Sequence, residues 1–219
     1  VNAGEITITD VGALETVSTV TTSDDLIFDT IETLILGDDL TVGGLLNFQR
    51  VVNTAFNVGL NSGSLSIVSS GDLTFNADMT FETLTLTDVG DLTLASKVSI
   101  SDTMTVDGAG TVTMNGVVEV DGLLDIQNVG ATTFNASLSA DTINISTVSG
   151  ISFADTVTVS DGAVFNDVGN LNTITTLDVT NDLDITTADD VSLGGAMTVG
   201  GAMSMDDIGS LAALSTLSV

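Results

Sequence analysis

A short motif that recurs at a constant spacing is the feature that most constrains the fold of this chain. Asp-Val-Gly, or a close variant of it, begins at Asp10, Asp88, Asn128, Asp167 and Asp207. The start positions of the last four copies are evenly spaced to within a single position, and the gap between the first two copies is twice that spacing. A constant period of this length indicates a repeat protein in which each unit packs on the next.

Inside each period, apolar residues come in pairs that are two positions apart. From residue 92 onward the pairs begin at positions 92, 98, 104, 112, 118 and 124, so the steps are 6, 6, 8, 6 and 6. Each pair is typical of a short strand with both apolar side chains on one face. Three strands and three corners make one turn of the chain, and two such turns make one period of the motif. Steps of 5 replace 6 from Leu60 to Leu65 and from Leu138 to Ile143.

The pattern predicts an all-β fold, a single parallel β-solenoid (β-helix) with a triangular, three-faced cross-section. We expect one domain over residues 1–219, with about 11 coils in five to six two-coil repeats of 38–40 residues and no linker. Stacked coils bury short strands that could not be buried alone, because each strand pairs in parallel with its equivalent about 20 residues later. The alternation and the many Val, Ile and Thr residues exclude helix. The crossover rule for parallel strands predicts a right-handed coil, but a left-handed coil of hexapeptide type shares the six-residue step and stays open.

Rare residues test this register. All eight Phe and all six Met fall on predicted inward positions, whereas a wrong register would place them on both faces. The longer step carries one further apolar residue, the Val of Asp-Val-Gly, which we expect to fill the third corner. We expect the Gly of the motif to allow a positive φ there and the Asp to cap exposed backbone at the turn.

The corner between the second and third strands alternates between acids in one coil and Gly-Gly or Asp-Gly in the next. We interpret this alternation as charge management, because like charges about 4.8 Å apart repel; a specific recognition role is the alternative. The Gly next to each Asp in the stack would also leave room for solvent or an ion. Because Asp-Gly corners supply the oxygen ligands that Ca²⁺ prefers, calcium is the only cofactor we consider, although adaptation to a salty medium would give the same composition. The calcium ligands predicted on this basis are Asp24, Asp25, Asp102, Asp141 and Asp182.

Composition excludes several classes of function. The net charge of −28, from 30 acidic and two basic residues, would be repelled by nucleic acid and by anionic lipid. The apolar runs are too short for a transmembrane helix, and without Cys or His there is no zinc, haem or copper site of the usual kind. Acid pairs such as Asp189-Asp190 could serve as general acid and base, but these acids sit in repeats, whereas a catalytic site would be unique. We therefore expect no enzyme, no nucleic-acid partner and no membrane insertion.

Neither end of the predicted solenoid shows a polar cap, an amphipathic helix or a breaker. Bare solenoid ends leave strand edges unpaired and tend to add further strands. We therefore expect the partner of this chain to be a second copy of itself, stacked end to end. The residues expected at the two ends are Ile6, Ile8, Leu14 and Val20 in the first coil and Met203, Met205, Leu211, Leu217 and Val219 in the last.

The 20-residue coil, the Asn/Asp/Gly corners and the Thr/Ser/Val/Leu strands, as in VEVDGLLDIQNVGATTFNASLSADTINIS, resemble bacterial secreted β-solenoids. The nearest resemblance is to filamentous-haemagglutinin-type exoproteins and autotransporter passengers, although the Asp-Val-Gly corner and the extreme acidity depart from their pattern. The resemblance covers the whole chain and implies a right-handed coil, export through the bacterial envelope and an extracellular or cell-surface location. Because the chain begins with Val rather than Met, we also expect an upstream segment.

Two classes of function follow from these observations. The first is a structural component of an extracellular bacterial fibre, sheath or surface layer, and the alternative is an adhesin stalk or a solenoid that binds ice or glycans. Outward Thr residues such as Thr74, Thr93 and Thr113 are typical of ice-binding ladders, but Glu119 and other residues interrupt the columns, and Thr is also a good strand residue. No face has outward aromatic residues, which favours the structural role.

Overall fold

The computed structural model describes residues 5–16, 18–52, 54–173, 175–213 and 216–219, and every strand pairing among them is parallel. The strands in chain order are β1 (Ile6–Ile8), β2 (Val11–Thr16), β3 (Val20–Thr22), β4 (Leu26–Leu36), β5 (Leu40–Val51), β6 (Thr54–Phe56), β7 (Leu60–Ile67), β8 (Leu73–Phe75), β9 (Met79–Thr87), β10 (Leu92–Leu94), β11 (Val98–Asp107), β12 (Val112–Met114), β13 (Val118–Phe134), β14 (Leu138–Phe153), β15 (Val157–Val159), β16 (Ala163–Thr173), β17 (Leu177–Val179), β18 (Leu183–Ile185), β19 (Ala188–Leu193), β20 (Met197–Val199), β21 (Met203–Met205), β22 (Ile208–Ala213) and β23 (Leu217–Ser218).

The strands lie on three faces, and the longer ones turn a corner from one face to the next. We call these the first face, which begins at Leu14, the second face, which begins at Val20, and the third face, which begins at Ile6. On the third face, ten successive pairings link eleven strand segments from Ile6 to Met203. Each strand pairs with its equivalent one coil later in the chain, at the spacing that the sequence pattern predicts. The predicted three-faced parallel β-solenoid is therefore confirmed.

Inward side chains of the three faces form one continuous core. All eight Phe residues are at most 2% exposed, as the register predicts. Phe75, Phe134 and Phe153 lie on the first face as expected, and Phe134 stacks on Phe153 with ring centroids 5.0 Å apart. Of the six Met residues, four are buried, while Met203 and Met205 in the last coil pack partly buried against the core. The predicted register is therefore confirmed.

The Asp-Val-Gly corner differs from the prediction in one respect. The positive φ belongs to the first residue, as in Asp88 (φ 51°) and Asp167 (φ 54°), and not to the Gly of the motif. Asp and Asn tolerate this left-handed conformation better than most residues. The Gly is required for a different reason, because a Cβ on Gly169 would lie 2.0 Å from the carbonyl oxygen of Ser149 in the preceding coil. The Val fills the corner as predicted, and Val168 is 2% exposed.

The left-handed backbone conformation at this corner is not confined to the copies of the motif. Gly108 (φ 74°) and Thr147 (φ 54°) adopt the same left-handed conformation in the coils between the motif copies. The same corner position has no positive φ at Thr30, Arg50, Ser69 or Thr187. The left-handed turn is therefore shared by every copy of the motif and by only some of the coils between them.

Candidate functional site

Acidic side chains at the corners bind the backbone of the following coil. Asp25 Oδ1 accepts a hydrogen bond of 2.8 Å from the backbone amide of Leu45. Asp91 Oδ1 accepts two bonds of 2.9 Å from Thr111, one from its backbone amide and one from its hydroxyl. In both cases the donor lies one coil later in the chain, so the carboxylate caps a backbone amide of the neighbouring coil.

The Gly residues next to these acids make room for the carboxylate itself. A Cβ on Gly44 would lie 2.2 Å from Asp25 Oδ1, and a Cβ on Gly201 would lie 2.3 Å from Asp182 Oδ1. Asp182 Oδ1 accepts a bond of 2.8 Å from the amide of Ala202. The expectation that Gly leaves space for solvent or an ion was wrong at these two corners, because the carboxylate of the preceding coil occupies that space.

The five predicted calcium ligands are distributed over several coils. Asp24 and Asp25 are neighbours in one corner, whereas Asp102, Asp141 and Asp182 lie in three other coils. Asp141 accepts a hydrogen bond from the hydroxyl of the next coil, at Ser160. Among the described residues, no group of three or more acidic side chains is placed to hold a metal ion. Calcium binding at these positions stays a prediction.

Amide side chains lie next to acids in several corner columns. Asn128 Nδ2 donates to Asp107 Oδ1 at 2.8 Å, and Asn181 Nδ2 donates to Asp161 Oδ1 at 2.7 Å. At these two positions a neutral amide makes a hydrogen bond with the acid of the preceding coil, where a second acid would be repelled. Asp141 and Asp161 nevertheless occupy equivalent positions in adjacent coils, so charge management stays an interpretation.

Two other charged groups on the sides of the solenoid have defined partners. Lys97 Nζ lies 2.7 Å from Glu119 Oε2, in an ion pair whose side chains are nearly half exposed. Hydrogen bonds from the backbone amide of Asp39 and the hydroxyl of Thr19 hold the pKa of Asp38 below its ordinary value. These contacts join neighbouring coils or corners, and they do not gather groups for chemistry.

The first coil presents an open apolar surface, which we call the first-coil end. It surrounds a concavity of about 290 Å³ lined by apolar side chains. Among the residues that the structure describes, the strands β1 and β3 each pair on one side only, with β4 and β5. The lining residues are Ile6, Ile8, Leu14, Val20, Leu26, Phe28, Leu36 and Leu40.

The last coil presents a second open surface, the last-coil end, formed by β21, β22 and β23. Leu211, Leu217 and Val219 are 53%, 49% and 69% exposed. Their equivalents in the preceding coil, such as Val191 and Met197, are buried. The residues predicted for assembly therefore lie in the first and last coils of the described stack, and their role in assembly stays a prediction.

The two ends have the same spacing of strands. The first apolar positions of the three strands are 6, 14 and 20 in the first coil and 203, 211 and 217 in the last coil, so both coils have steps of 8 and 6. A second copy placed on the last coil would therefore continue all three sheets in the same register that links the coils within the chain.

A groove of about 560 Å³ along the edge of the second face was missed by the sequence prediction. Outward residues of five successive coils line it, and Glu82 and Asp121 contribute acidic groups at its margin. It lies where the chain takes a step of 5 instead of 6 between Leu60 and Leu65, and again between Met79 and Leu84. The shortened steps are visible in the sequence and coincide with two of the five coils that line the groove. The outward residues are Thr41, Asn61, Thr80, Ser99 and Glu119.

Comparisons with known proteins found no match to this chain among protein-family models, curated proteins or solved structures. Within the described ranges, no helix has the length and apolar character needed to cross a membrane. The solenoid architecture is established by the fold, while kinship with haemagglutinin-type exoproteins or autotransporter passengers stays a prediction.

Proposed function

We propose that this chain is a structural component of an extracellular bacterial fibre, sheath or surface layer, and that copies of it assemble end to end. The observation that carries this proposal is the pair of open apolar ends with matching strand spacing. An unpaired parallel strand edge is a template for another strand. The first-coil end and the last-coil end are complementary in register, so each can serve as the template for the other.

Docking would bury side chains that the single chain leaves in water. Leu211, Leu217 and Val219 are each about half exposed or more, and covering them contributes about 1 kcal/mol each on the usual scale for apolar side chains. The strands β21, β22 and β23 would gain partners in β1, β2 and β3 of the next copy. Repulsion between strongly acidic sides disfavours lateral association, so growth along the axis is favoured.

The proposal is tested by blocking each end with a charge. Ile6→Asp blocks the first-coil end and Leu217→Asp blocks the last-coil end, because an unpaired charge is costly to bury in an apolar contact. In sedimentation and negative-stain microscopy, we expect polymers from the wild type and monomers from each variant alone. An equimolar mixture of the two variants should give dimers and nothing larger, because one open end of each kind remains.

The mixture also serves as a folding control, since misfolded variants could not form the dimer. Val117→Asp is a matched substitution at an apolar side chain that is 36% exposed in the middle of the stack, and it should leave polymer length unchanged. A wild-type chain that stays monomeric at high protein concentration, or variants that polymerise as well as the wild type does, would refute end-to-end assembly.

The groove on the second face favours a second function, an adhesin stalk or a glycan-binding solenoid. Its hydroxyl, amide and carboxylate groups can exchange hydrogen bonds with sugar hydroxyls. Titration of the monomer with soluble oligosaccharides, followed by NMR, should then shift the amides of Asn61 and Thr80 before any others. If the amide signals do not shift, or shift equally along the chain, the groove does not bind glycans.

A further inference from the structure

One column of corner residues keeps its acids apart along the whole stack. It consists of the residues that occupy the first position of the third corner, where the chain passes from the third face to the first face. Their order follows from the pairing of the residues beside them. The column reads Asp10, Thr30, Arg50, Ser69, Asp88, Gly108, Asn128, Thr147, Asp167, Thr187 and Asp207.

Within the chain, no two acids of this column are in adjacent coils. Asp88 has Ser69 and Gly108 as neighbours, and Asp167 has Thr147 and Thr187. The spacing between like charges is therefore at least two coils instead of one, or roughly twice the ~4.8 Å between paired strands.

A junction between two copies would break this rule. Ten pairings link eleven segments on the third face of the described residues, and the column has an acid, Asp10 and Asp207, in the first and in the last of these coils. Stacking in register would place Asp207 of one copy directly beside Asp10 of the next. Both side chains are exposed, and both residues have the left-handed backbone conformation, with φ of 51° and 52°, so the carboxylates would extend from equivalent positions.

The surroundings of this pair add to its negative charge. Asp29 and Glu32 on β4 occupy nearby register positions in the coil that follows Asp10. Asp189 and Asp190 lie in the coil before that of Asp207, and Asp206 is the sequence neighbour of Asp207. The basic residue of this column, Arg50, is two coils away from Asp10.

We propose that the Asp207–Asp10 carboxylate pair gates the head-to-tail junction, so that assembly is suppressed at low ionic strength and released when the pair is screened or neutralised. The inference rests on the proposed end-to-end function and adds its regulation. Repulsion between two unit charges about 4.8 Å apart in water raises the dissociation constant of the junction about four-fold. The increase is larger where the local dielectric constant is lower. Salt screens an exposed pair of this kind.

The test compares three Asp→Asn substitutions in the full chain. Asp10→Asn and Asp207→Asn remove one charge from the junction, while Asp167→Asn removes one charge from the same corner position in the interior. Asn is compatible with this backbone, because Asn128 holds the same position with φ of 55°. Sedimentation across a series of NaCl concentrations gives the dissociation constant of the junction.

We expect the two junction variants to bind at least about four-fold more tightly than the wild type at low salt, with a flatter dependence on salt, and Asp167→Asn to behave as the wild type does. If the dissociation constant of the junction falls equally in all three variants, net charge alone controls assembly. That result overturns the gate and leaves end-to-end stacking intact. If the wild type and every variant stay monomeric at all salt concentrations, the proposed function fails and the gate fails with it.

Discussion

Replacing Thr132 with Val should stabilise the solenoid, although Thr132 lies in the middle of a well-packed face. The side chain is 1% exposed and pairs in register with Val112 in one neighbouring coil and Ile151 in the other. Its hydroxyl oxygen is buried without a hydrogen-bond partner. A buried hydroxyl without a partner costs about 1–3 kcal/mol. Val has nearly the same shape, so we expect a gain of about 1 kcal/mol with no cavity.

Thr54→Val is the matched control on the same face. Thr54 is also buried, but its hydroxyl donates a hydrogen bond of 2.6 Å to the carbonyl oxygen of Val52. The same substitution there removes a satisfied hydrogen bond and should cost about 1 kcal/mol. The two substitutions should therefore change the free energy of unfolding in opposite directions. The reason is that the hydroxyl of Thr54 has a hydrogen-bond partner and that of Thr132 has none.

Urea unfolding followed by circular dichroism measures the two free energies. Because a stack of coils can unfold in parts, native-state hydrogen exchange at amides in the flanking coils provides a local free energy for each site. If Thr132→Val lowers stability, or if both variants shift in the same direction by the same amount, the assignment of an unsatisfied hydroxyl at Thr132 is wrong.

Four further outcomes follow from the packing and the charges. Phe134→Asp should cost several kcal/mol by placing an unpaired charge in the core, and an unchanged urea midpoint would reject the core assignment. Gly169→Ala should lower the melting temperature because its Cβ would meet a backbone oxygen at 2.0 Å, whereas Gly12→Ala, with 3.8 Å to its nearest atom, should be tolerated. Because the pKa of Asp38 is lowered in the fold, its contribution to stability is present above the unfolded pKa and is lost as pH falls through the folded value; an NMR titration of that carboxyl with an ordinary midpoint would contradict this. Salt should raise the melting temperature by screening the charge of −28, and CaCl₂ that performs no better than NaCl at equal ionic strength would leave the predicted calcium ligands without support.

The core could be predicted from the sequence because the apolar periodicity has only one consistent register. Phe134 and Phe153 stand one coil apart in the chain, and the six-six-eight pattern assigns both to the same inward column. The spacing of the two ends was predictable for the same reason, since the steps that begin at Ile6 are repeated from Met203.

The corners could not be predicted to the same depth because one residue type can serve two physical purposes. A Gly that follows Asp-Val is consistent with a positive φ and also with close contact between coils, and only the structure shows that Gly169 serves the second purpose. Likewise, Asp25 could have faced solvent, a cation or a backbone amide. Its bond to the amide of Leu45 depends on the distance between coils, which no local pattern contains.

The corner carboxylates give the stack a direction. In the six bonds by which an Asp carboxylate accepts a backbone amide of another coil within the described ranges, the donor always lies in the coil that comes later in the chain. A coil that has already formed therefore offers carboxylate acceptors to the backbone amides of the coil that emerges after it. We expect the chain to fold vectorially, starting from its amino-terminal coils, with each completed coil serving as a template for the next. This order would suit a polypeptide that emerges progressively from a narrow exit.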